Sequence, residues 1–216
     1  VIQKSPGLDL VYYKHFVRTP TSTRFMKWCL EELNWYRVQY KTRGMQITTP
    51  RFTTVFGIDE THSPASTYNM PPRPIPEPLQ ILKAHVEKVT GAKFNFTLLN
   101  YYQDGKDSIT YHSDDESFLG KNPTIASLTL GGCRDFLMKN KVDASKKEKY
   151  FLEDGDLLVM QGTTQSQWLH AIPKRATALP RINITFRKAI NVAGTKNYYK
   201  YNVGDGGIYA FRNGKM

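Results

Sequence analysis

The sequence predicts a mainly β domain with flanking helices, an α+β class with a sandwich or barrel at its centre. From residue 94 onward, short hydrophobic segments alternate with turn signals such as Asp104-Gly105 and Gly131-Gly132, a spacing typical of all-β sandwiches and barrels. Before that point, two segments carry apolar residues at helical spacing. The length of 216 residues and the hydrophobic content of 40% fit one domain with a full core.

The first predicted elements are an extended segment over residues 1–19 and an amphipathic helix. In the helix, Phe25, Cys29 and Leu33 recur every four residues, which places them on one face. The Thr-Ser pair at 21–22 precedes this stripe, and either hydroxyl can cap a helix. We expect this helix to be structural.

The next segments alternate as strands do, at Val38–Tyr40 and Phe52–Phe56, and lead into a polar, Pro-rich connection over 59–78. A second helix follows, and Gly91 stands where a C-terminal cap is expected. Its apolar stripe consists of Leu79, Leu82, Val86 and Val89.

The strands predicted in the remainder of the chain are 94–102, 108–114, 124–130, 134–138, 156–160, 167–172 and 181–188. Lys139–Lys149 is predicted to be a lysine-rich, solvated loop. We expect a single domain over 1–216. Its parts are the N-terminal helices with a nucleotide-recognition segment (about 20–92), the strand-rich core (93–190) and a C-terminal extension (191–216).

The composition points to a polyanionic partner. The chain carries 30 Lys and Arg against 19 Asp and Glu, a net charge of +11, and 13 Tyr residues that could stack on bases. No apolar run reaches the roughly 20 residues that span a bilayer. With only Cys29 and Cys133, we expect a reducing compartment. Because the chain begins at Val1, we also expect that terminal or targeting segments are missing.

A His-x-Asp motif, His112-Ser113-Asp114, carries the first candidate chemistry. Alternate residues of a strand face the same way, so both side chains can reach one metal ion. An isolated His170 in a downstream strand could supply a third ligand. Two histidines and one carboxylate suit non-haem Fe(II), with open positions for a cosubstrate and O₂. The alternative is that each histidine is an ordinary hydrogen-bonded residue.

The segment Arg181–Arg187 carries a second candidate site, one for binding an anion. Strand alternation places Ile182, Ile184 and Phe186 in the core and Arg181, Asn183, Thr185 and Arg187 on the opposite face. Two guanidinium groups on one face are suited to a dicarboxylate. The alternative is salt bridges to protein carboxylates, with Asp115 as a candidate partner. Asn100 and Tyr102 share another strand face and could complete an anion pocket.

These motifs resemble the AlkB family of Fe(II)/2-oxoglutarate dioxygenases, over most of the chain from about 50 to 190. The resemblance is strongest to the branch that repairs duplex DNA. It rests on Asn100-Tyr101-Tyr102, His112 to Glu116, Ile125 to Leu128, Arg134-Asp135-Phe136, Trp168-Leu169-His170 and Arg181 to Arg187.

The resemblance implies a double-stranded β-helix, or jelly-roll, core. It implies that His112, Asp114 and His170 bind Fe(II), and that Arg187 acts with them in catalysis. The residues that it implies for 2-oxoglutarate are Asn100, Tyr102, Arg181, Asn183, Thr185 and Arg187. Of these, Arg181, Tyr102 and Asn183 would hold the distal carboxylate, and Arg187 and Asn100 would lie nearer the metal.

The implied reaction is oxidative demethylation of 1-methyladenine and 3-methylcytosine in DNA. Hydroxylation of the N-methyl group gives an unstable adduct that releases formaldehyde, while 2-oxoglutarate and O₂ give succinate and CO₂. We expect a monomer acting in the nucleus. The alternatives are an RNA N-methyl demethylase, a noncatalytic nucleic-acid-binding scaffold, and an oxygenase of protein side chains.

The resemblance also suggests substrate contacts. Val55-Phe56-Gly57 resembles a hydrophobic finger, whose Phe56 would fill the gap left by a flipped base. The alternative is that Phe56 is a core residue on an alternating strand. Glu116 would accept a hydrogen bond from the exocyclic amine of the lesion; otherwise it is a solvated turn carboxylate.

Two further contacts are implied for the backbone and the base. Lys174 and Arg175 match a basic loop that would hold the nucleic-acid backbone, with ordinary surface charge as the alternative. Tyr68 could line the base pocket, although the stretch from 61 to 72 departs from the family pattern: it is Pro-rich and shorter than a full recognition lid. The Tyr-rich segment at 198–201 lies beyond the catalytic core.

Overall fold

The computed structural model describes residues 2–57, 74–190 and 207–216. The helices are α1 (Thr19–Glu32), α2 (Glu77–Thr90) and the single turn α3 (Thr164–Gln167). The strands are β1 (Ile2–Ser5), β2 (Leu8–Tyr13), β3 (Trp35–Tyr36), β4 (Gln39–Thr42), β5 (Met45–Thr48), β6 (Phe52–Gly57), β7 (Phe96–Tyr102), β8 (Ile109–His112), β9 (Ile125–Gly131), β10 (Arg134–Asn140), β11 (Lys147–Leu152), β12 (Leu157–Gln161), β13 (Trp168–Ile172), β14 (Arg181–Arg187) and β15 (Ile208–Tyr209).

Two antiparallel sheets form the centre of the described structure. The major sheet has the order β1-β2-β12-β9-β14-β7-β6-β3-β15, and the minor sheet has the order β11-β10-β13-β8. Among the described residues, strands β4 and β5 form a separate two-stranded hairpin. Several neighbouring strands, such as β14 with β7 and with β9, are far apart in sequence, as in a jelly roll, and the predicted mainly β fold is confirmed.

The two faces of the major sheet bury different clusters. One cluster lies between the sheets and joins residues such as Phe96 and Met160 of the major sheet to Phe136 and Ile172 of the minor sheet. The other lies between the major sheet and the helices, where Cys29 of α1 packs with core residues of β14. Strand alternation therefore sends the polar face of β14 toward the space between the sheets.

Both predicted helices are confirmed, with small differences at their ends. Helix α1 begins at Thr19, two residues before the predicted cap, and Ser22 lies inside it, where its hydroxyl donates to the carboxylate of Asp154. Helix α2 ends at Thr90, and the next residue, Gly91, has the left-handed φ of 70° expected of a C-terminal cap. Val89, predicted on the apolar stripe, is exposed.

The prediction of a solvated loop over Lys139–Lys149 is wrong at both ends. Strand β10 continues to Asn140, and β11 pairs with it from Lys147 onward as the edge of the minor sheet. Its residues alternate between exposed and more buried positions. Lysines on the exposed positions of an edge strand oppose pairing with other chains, which accounts for the polar sequence.

The C-terminal segment contributes a short strand, because β15 pairs with β3 at the edge of the major sheet. The Tyr-rich segment at 198–201 lies outside the described residues. Within those residues, no helix is both long and apolar enough to cross a bilayer.

Candidate active site

The site lies between the two sheets, where the predicted metal ligands come together. His112 ends β8 and is the register partner of His170 on β13, so hydrogen bonding between these two strands sets the imidazoles side by side. Their ring centroids are 4.2 Å apart. Asp114 follows two residues after His112 and is almost fully buried.

The three side chains form a compact donor set. One ligand atom from each of His112, Asp114 and His170 lies within 4.8 Å of the other two. Nε2 of His112 is 3.8 Å from Oδ1 of Asp114, and Nε2 of His170 is 3.9 Å from Oδ2. Two imidazoles and a carboxylate at one point are the ligands that non-haem Fe(II) takes, with coordination positions left open.

Both imidazoles are in a state suited to metal binding. Nδ1 of His112 lies 2.8 Å from the carbonyl oxygen of Thr110. A carbonyl can only accept, so Nδ1 donates this bond and Nε2 is the ring nitrogen left for a metal. Burial lowers the pKa of His170 from 6.5 to about 3, which outweighs the opposing effect of Asp114 and keeps the ring neutral at pH 7.

Arg187 is paired with protein carboxylates. Its Nη2 donates to Oδ1 of Asp114 at 3.1 Å, and its Nη1 lies 3.7 Å from Oε2 of Glu116. The prediction of Asp115 as a partner of these arginines is wrong, because its carboxylate pairs with Lys141 instead. Arg187 therefore fixes one metal ligand and lies at the metal end of the site.

Arg181 is buried on the same strand face, and no carboxylate among the described residues pairs with it. It is 1% exposed, and its Nη2 donates to the hydroxyl of Thr129 at 2.9 Å. Its Nε and Nη1 have no hydrogen-bond acceptor in the described part of the chain. Burial lowers the pKa of Arg181 from 12.5 to about 10, so the guanidinium stays charged at pH 7. A buried, uncompensated cation is costly unless an anion meets it, and a carboxylate of 2-oxoglutarate fits this need.

The other predicted 2-oxoglutarate residues border the same cavity, but several are already hydrogen-bonded. Asn183 donates its amide to Ser127 and to the carbonyl of Leu128. Those bonds anchor it to β9, which differs from the expectation that its amide holds a carboxylate. Thr185 donates its hydroxyl to the carbonyl of Leu98 and accepts from Nε of Arg187.

Asn100 and Tyr102 reach the cavity from β7. The Asn100 carboxamide oxygen accepts from Nε of Arg51 and from the hydroxyl of Thr53. The ring of Tyr102 lies 5.3 Å from the guanidinium carbon of Arg181. The cavity that joins the metal ligands to Arg181 is lined by Asn100, Tyr102, Ile109, His112, Asp114, Ser127, Phe136, Met160, His170, Ile172, Arg181, Asn183, Thr185 and Arg187.

Comparison with known proteins agrees with this geometry. The family model of the 2OG-Fe(II) oxygenase superfamily matches residues 9–187. Alpha-ketoglutarate-dependent dioxygenase alkB homolog 3 of Mus musculus is 37% identical over 174 residues, which is 74% of this chain and 60% of that protein. DNA oxidative demethylase ALKBH2 of Homo sapiens is 32% identical over 198 residues, covering 87% of this chain and 76% of that protein.

The chain belongs to the AlkB branch of the 2OG-Fe(II) oxygenase superfamily. It spans about three fifths of the length of its mouse relative. The structure of OsALKBH1 matches with a TM-score of 0.64 at 21% identity, covers 86% of this chain and 100% of that chain, and shows the fold alone. Relatives named alkB homolog 3 and relatives named ALKBH2 both match this chain.

The superfamily uses Fe(II), 2-oxoglutarate and O₂, and the residues present fit this set. His112, Asp114 and His170 would hold the metal, and the unpaired nitrogens of Arg181 would meet a carboxylate of the cosubstrate. When bound, the metal and cosubstrate supply the oxidising chemistry. The protein supplies the charge balance and a buried cavity.

The predicted finger of this AlkB protein is not at the surface. Phe56 is 6% exposed and packs in the cluster between the major sheet and the helices, which corrects the wedge prediction in favour of the core alternative. Val55 points the other way, into the cluster between the sheets. Gly57 has φ 137°, and a Cβ there would come within 2.3 Å of the Asn95 carbonyl oxygen, so close packing against β7 accounts for this glycine.

The remaining predicted substrate residues are placed differently. Glu116 lies beside Arg187 at the metal end of the site. Lys174 is exposed, whereas Arg175 is 3.4 Å from Asp135 and lies over the ring of Phe151, so part of its charge is used within the protein. Tyr68 lies outside the described residues.

Two buried residues near the site were not predicted from the sequence as functional residues. Arg134 donates to the carbonyl oxygens of Asp107 and Pro173, which holds the start of the loop that carries Lys174. Gln165 contacts the backbone of Asp114. A charged or amide residue in a strand or turn looks like a surface residue in the sequence, and only the three-dimensional contacts show otherwise.

Proposed function

We propose that this protein is a DNA repair dioxygenase that demethylates N-alkylated bases. It would act on 1-methyladenine and 3-methylcytosine with Fe(II), 2-oxoglutarate and O₂, and release formaldehyde, succinate and CO₂. The observation that carries this proposal is the contrast between the two arginines of β14. Arg187 is paired with Asp114 beside the metal ligands, while Arg181 keeps two buried nitrogens for which the described residues supply no acceptor.

This contrast gives the cavity two chemically different ends. At one end, the two imidazoles and Asp114 present electron pairs to a metal ion. At the other end, Arg181 presents a desolvated positive charge, which attracts an anion more strongly than the same charge would at the protein surface. A molecule with a metal-chelating group and a distal carboxylate satisfies both ends. A noncatalytic scaffold has no physical need for either.

The nucleic-acid substrate is supported by charge and by the relatives. The net charge of +11 favours a polyanion. A human relative that matches 87% of this chain is named a DNA oxidative demethylase. Lys174 is exposed and is available for a phosphate contact, which would position the strand without reading its sequence.

We further propose that Glu116 favours cationic lesions. Its carboxylate lies 3.7 Å from Nη1 of Arg187, which borders the cavity beside the metal ligands. An N-methylated adenine or cytosine carries a positive charge that a nearby carboxylate would stabilise. An exocyclic amine could also donate to this group.

Because Phe56 is buried in the core, the duplex preference now rests on the family resemblance rather than on a wedge. RNA demethylation is therefore kept as the second candidate. A nuclear location and a monomeric state remain predictions, and microscopy of the tagged full-length protein and its sedimentation would test them.

The test is release of formaldehyde and succinate from oligonucleotides that carry 1-methyladenine. The same sequence would be presented as duplex DNA, single-stranded DNA and RNA, with an unmethylated oligonucleotide as the control. Turnover on either DNA form supports the proposal. Turnover on RNA alone would replace the substrate, and succinate formation that no oligonucleotide stimulates would show that the true substrate is a different molecule.

A further inference from the structure

The metal ligand Asp114 is held through its backbone as well as through its carboxylate. Its amide N–H donates to Oε1 of Gln165 at 2.8 Å. Gln165 lies on α3, is 1% exposed, and is 51 residues away in sequence. This buried hydrogen bond crosses from the loop after β8, which carries Asp114, to the turn that leads directly into β13, the strand that carries His170.

Chemistry fixes the orientation of the Gln165 amide. The backbone N–H of Asp114 can only donate, so it must face the side-chain oxygen. The amide nitrogen then points to the sulfur of Met160 at 3.3 Å, which can accept. Because both ends of the amide are used and the side chain is buried, Gln165 has little freedom to turn or withdraw.

A second contact joins the same two segments. Nζ of Lys141 donates to the backbone carbonyl of Gln165 at 3.0 Å and to the carboxylate of Asp115 at 3.1 Å. Asp115 directly follows the ligand Asp114. The loop that carries Asp114 is thus connected to α3 at two points. One is the direct bond from the Asp114 N–H to Gln165, and the other runs from the Asp115 side chain through Lys141.

The Asp114 loop and strand β13 are both connected to α3. Helix α3 ends at Gln167, and β13 begins at the next residue and carries His170 two residues later. A displacement of α3 would therefore move His170 and Asp114 together. Such coupling keeps the spacing of the donor set constant, which is what a metal site with fixed geometry requires.

We propose that Gln165 is a positioning residue for metal binding, with Lys141 as a weaker partner. Gln165 presets the Asp114 loop so that the carboxylate does not have to be ordered when the metal arrives. This inference rests on the metal site proposed above. It assigns no direct contact with metal or substrate to Gln165.

The test is the affinity for Mn(II) without turnover, measured by calorimetry on the full chain. Gln165→Met keeps the approximate size of the side chain but removes the acceptor, and we expect affinity to fall about tenfold. Gln165→Glu keeps an acceptor oxygen and should restore much of that loss. Ser166→Ala changes an exposed neighbour on the same turn and should bind as the unsubstituted protein does.

Lys141→Met provides a variant at a partly exposed position, for the case in which Gln165→Met does not fold. It should weaken Mn(II) binding by about twofold to fivefold, as expected for a partly exposed ion pair. Folded variants of Gln165 and Lys141 that bind Mn(II) as tightly as the unsubstituted protein would overturn the inference. Failure of the unsubstituted protein to bind Mn(II) would instead overturn the metal site itself, so the two failures can be told apart.

Discussion

Replacing Arg181 by Met should have opposite effects on the free and the ligand-bound protein. The lowering of its pKa from 12.5 to about 10, at about 1.4 kcal/mol per pH unit, corresponds to a burial cost of about 3 kcal/mol. Arginine is charged at pH 7 in the folded and the unfolded chain. This cost is therefore fully present at neutral pH and would be relieved only above about pH 10.

The size of the stability change follows from what the substitution removes. Arg181→Met removes the burial cost but also the hydrogen bond to Thr129, which is worth about 1 kcal/mol. The protein without 2-oxoglutarate should thus gain about 1–3 kcal/mol of unfolding free energy. Binding of 2-oxoglutarate should weaken by about 2–4 kcal/mol, or about 30- to 1000-fold.

The assay is thermal unfolding with Mn(II), at increasing concentrations of 2-oxoglutarate. The unsubstituted protein should be stabilised as 2-oxoglutarate is added, while Arg181→Met should begin higher and respond little. Arg187→Met is the matched control. It removes an arginine from the same strand face that is already paired with Asp114, so it should destabilise the protein by about 3–5 kcal/mol. An Arg181→Met variant that is less stable, or that still responds to 2-oxoglutarate, would refute this reasoning.

Three further predictions concern the core, an ion-paired carboxylate and the surface. Phe56→Ala should cost about 3–5 kcal/mol of stability and reduce activity equally on duplex and single-stranded DNA; a loss confined to duplex would return Phe56 to the role of a wedge. The pKa of Glu87 lies below 4.5 although burial opposes this, because its carboxylate accepts from the Phe94 N–H and pairs with Lys83. Glu87→Gln should therefore lower stability by about 1–2 kcal/mol at pH 7, and urea titrations should show this difference vanish as the pH falls through the depressed pKa. Lys174→Ala should weaken oligonucleotide binding equally for all sequences and reduce the slope of log binding constant against log salt concentration by about 1. An unchanged slope would show that Lys174 makes no phosphate contact.

The sequence predicted the strands of the core well because their periodicity is set by burial. On β14, alternation correctly separated the core residues from the polar face. It missed β11, where lysines occupy the exposed positions of an edge strand and imitate a loop. It also placed Phe56 wrongly, because a short apolar segment has the same residue pattern whether it projects from the surface or packs into the core.

The candidate site was predictable in its residue types but not in its pairings. The His-x-Asp motif and the distant histidine identify a donor set without the structure. The sequence could not tell which arginine is neutralised by the protein, because that depends on where Asp114 and Glu116 lie in space. The buried amide of Gln165 had no local signal at all, since its partner is 51 residues away.

The most direct measurement of the central claim is the stoichiometry of products on a 1-methyladenine oligonucleotide. With Fe(II), 2-oxoglutarate and O₂, we predict formaldehyde and succinate in equal amounts, together with restored adenine detected by mass spectrometry. His112→Ala, which lacks one of the three metal ligands, should release neither product. Succinate that forms without formaldehyde on any methylated DNA, or formaldehyde release that persists in His112→Ala, would contradict the account.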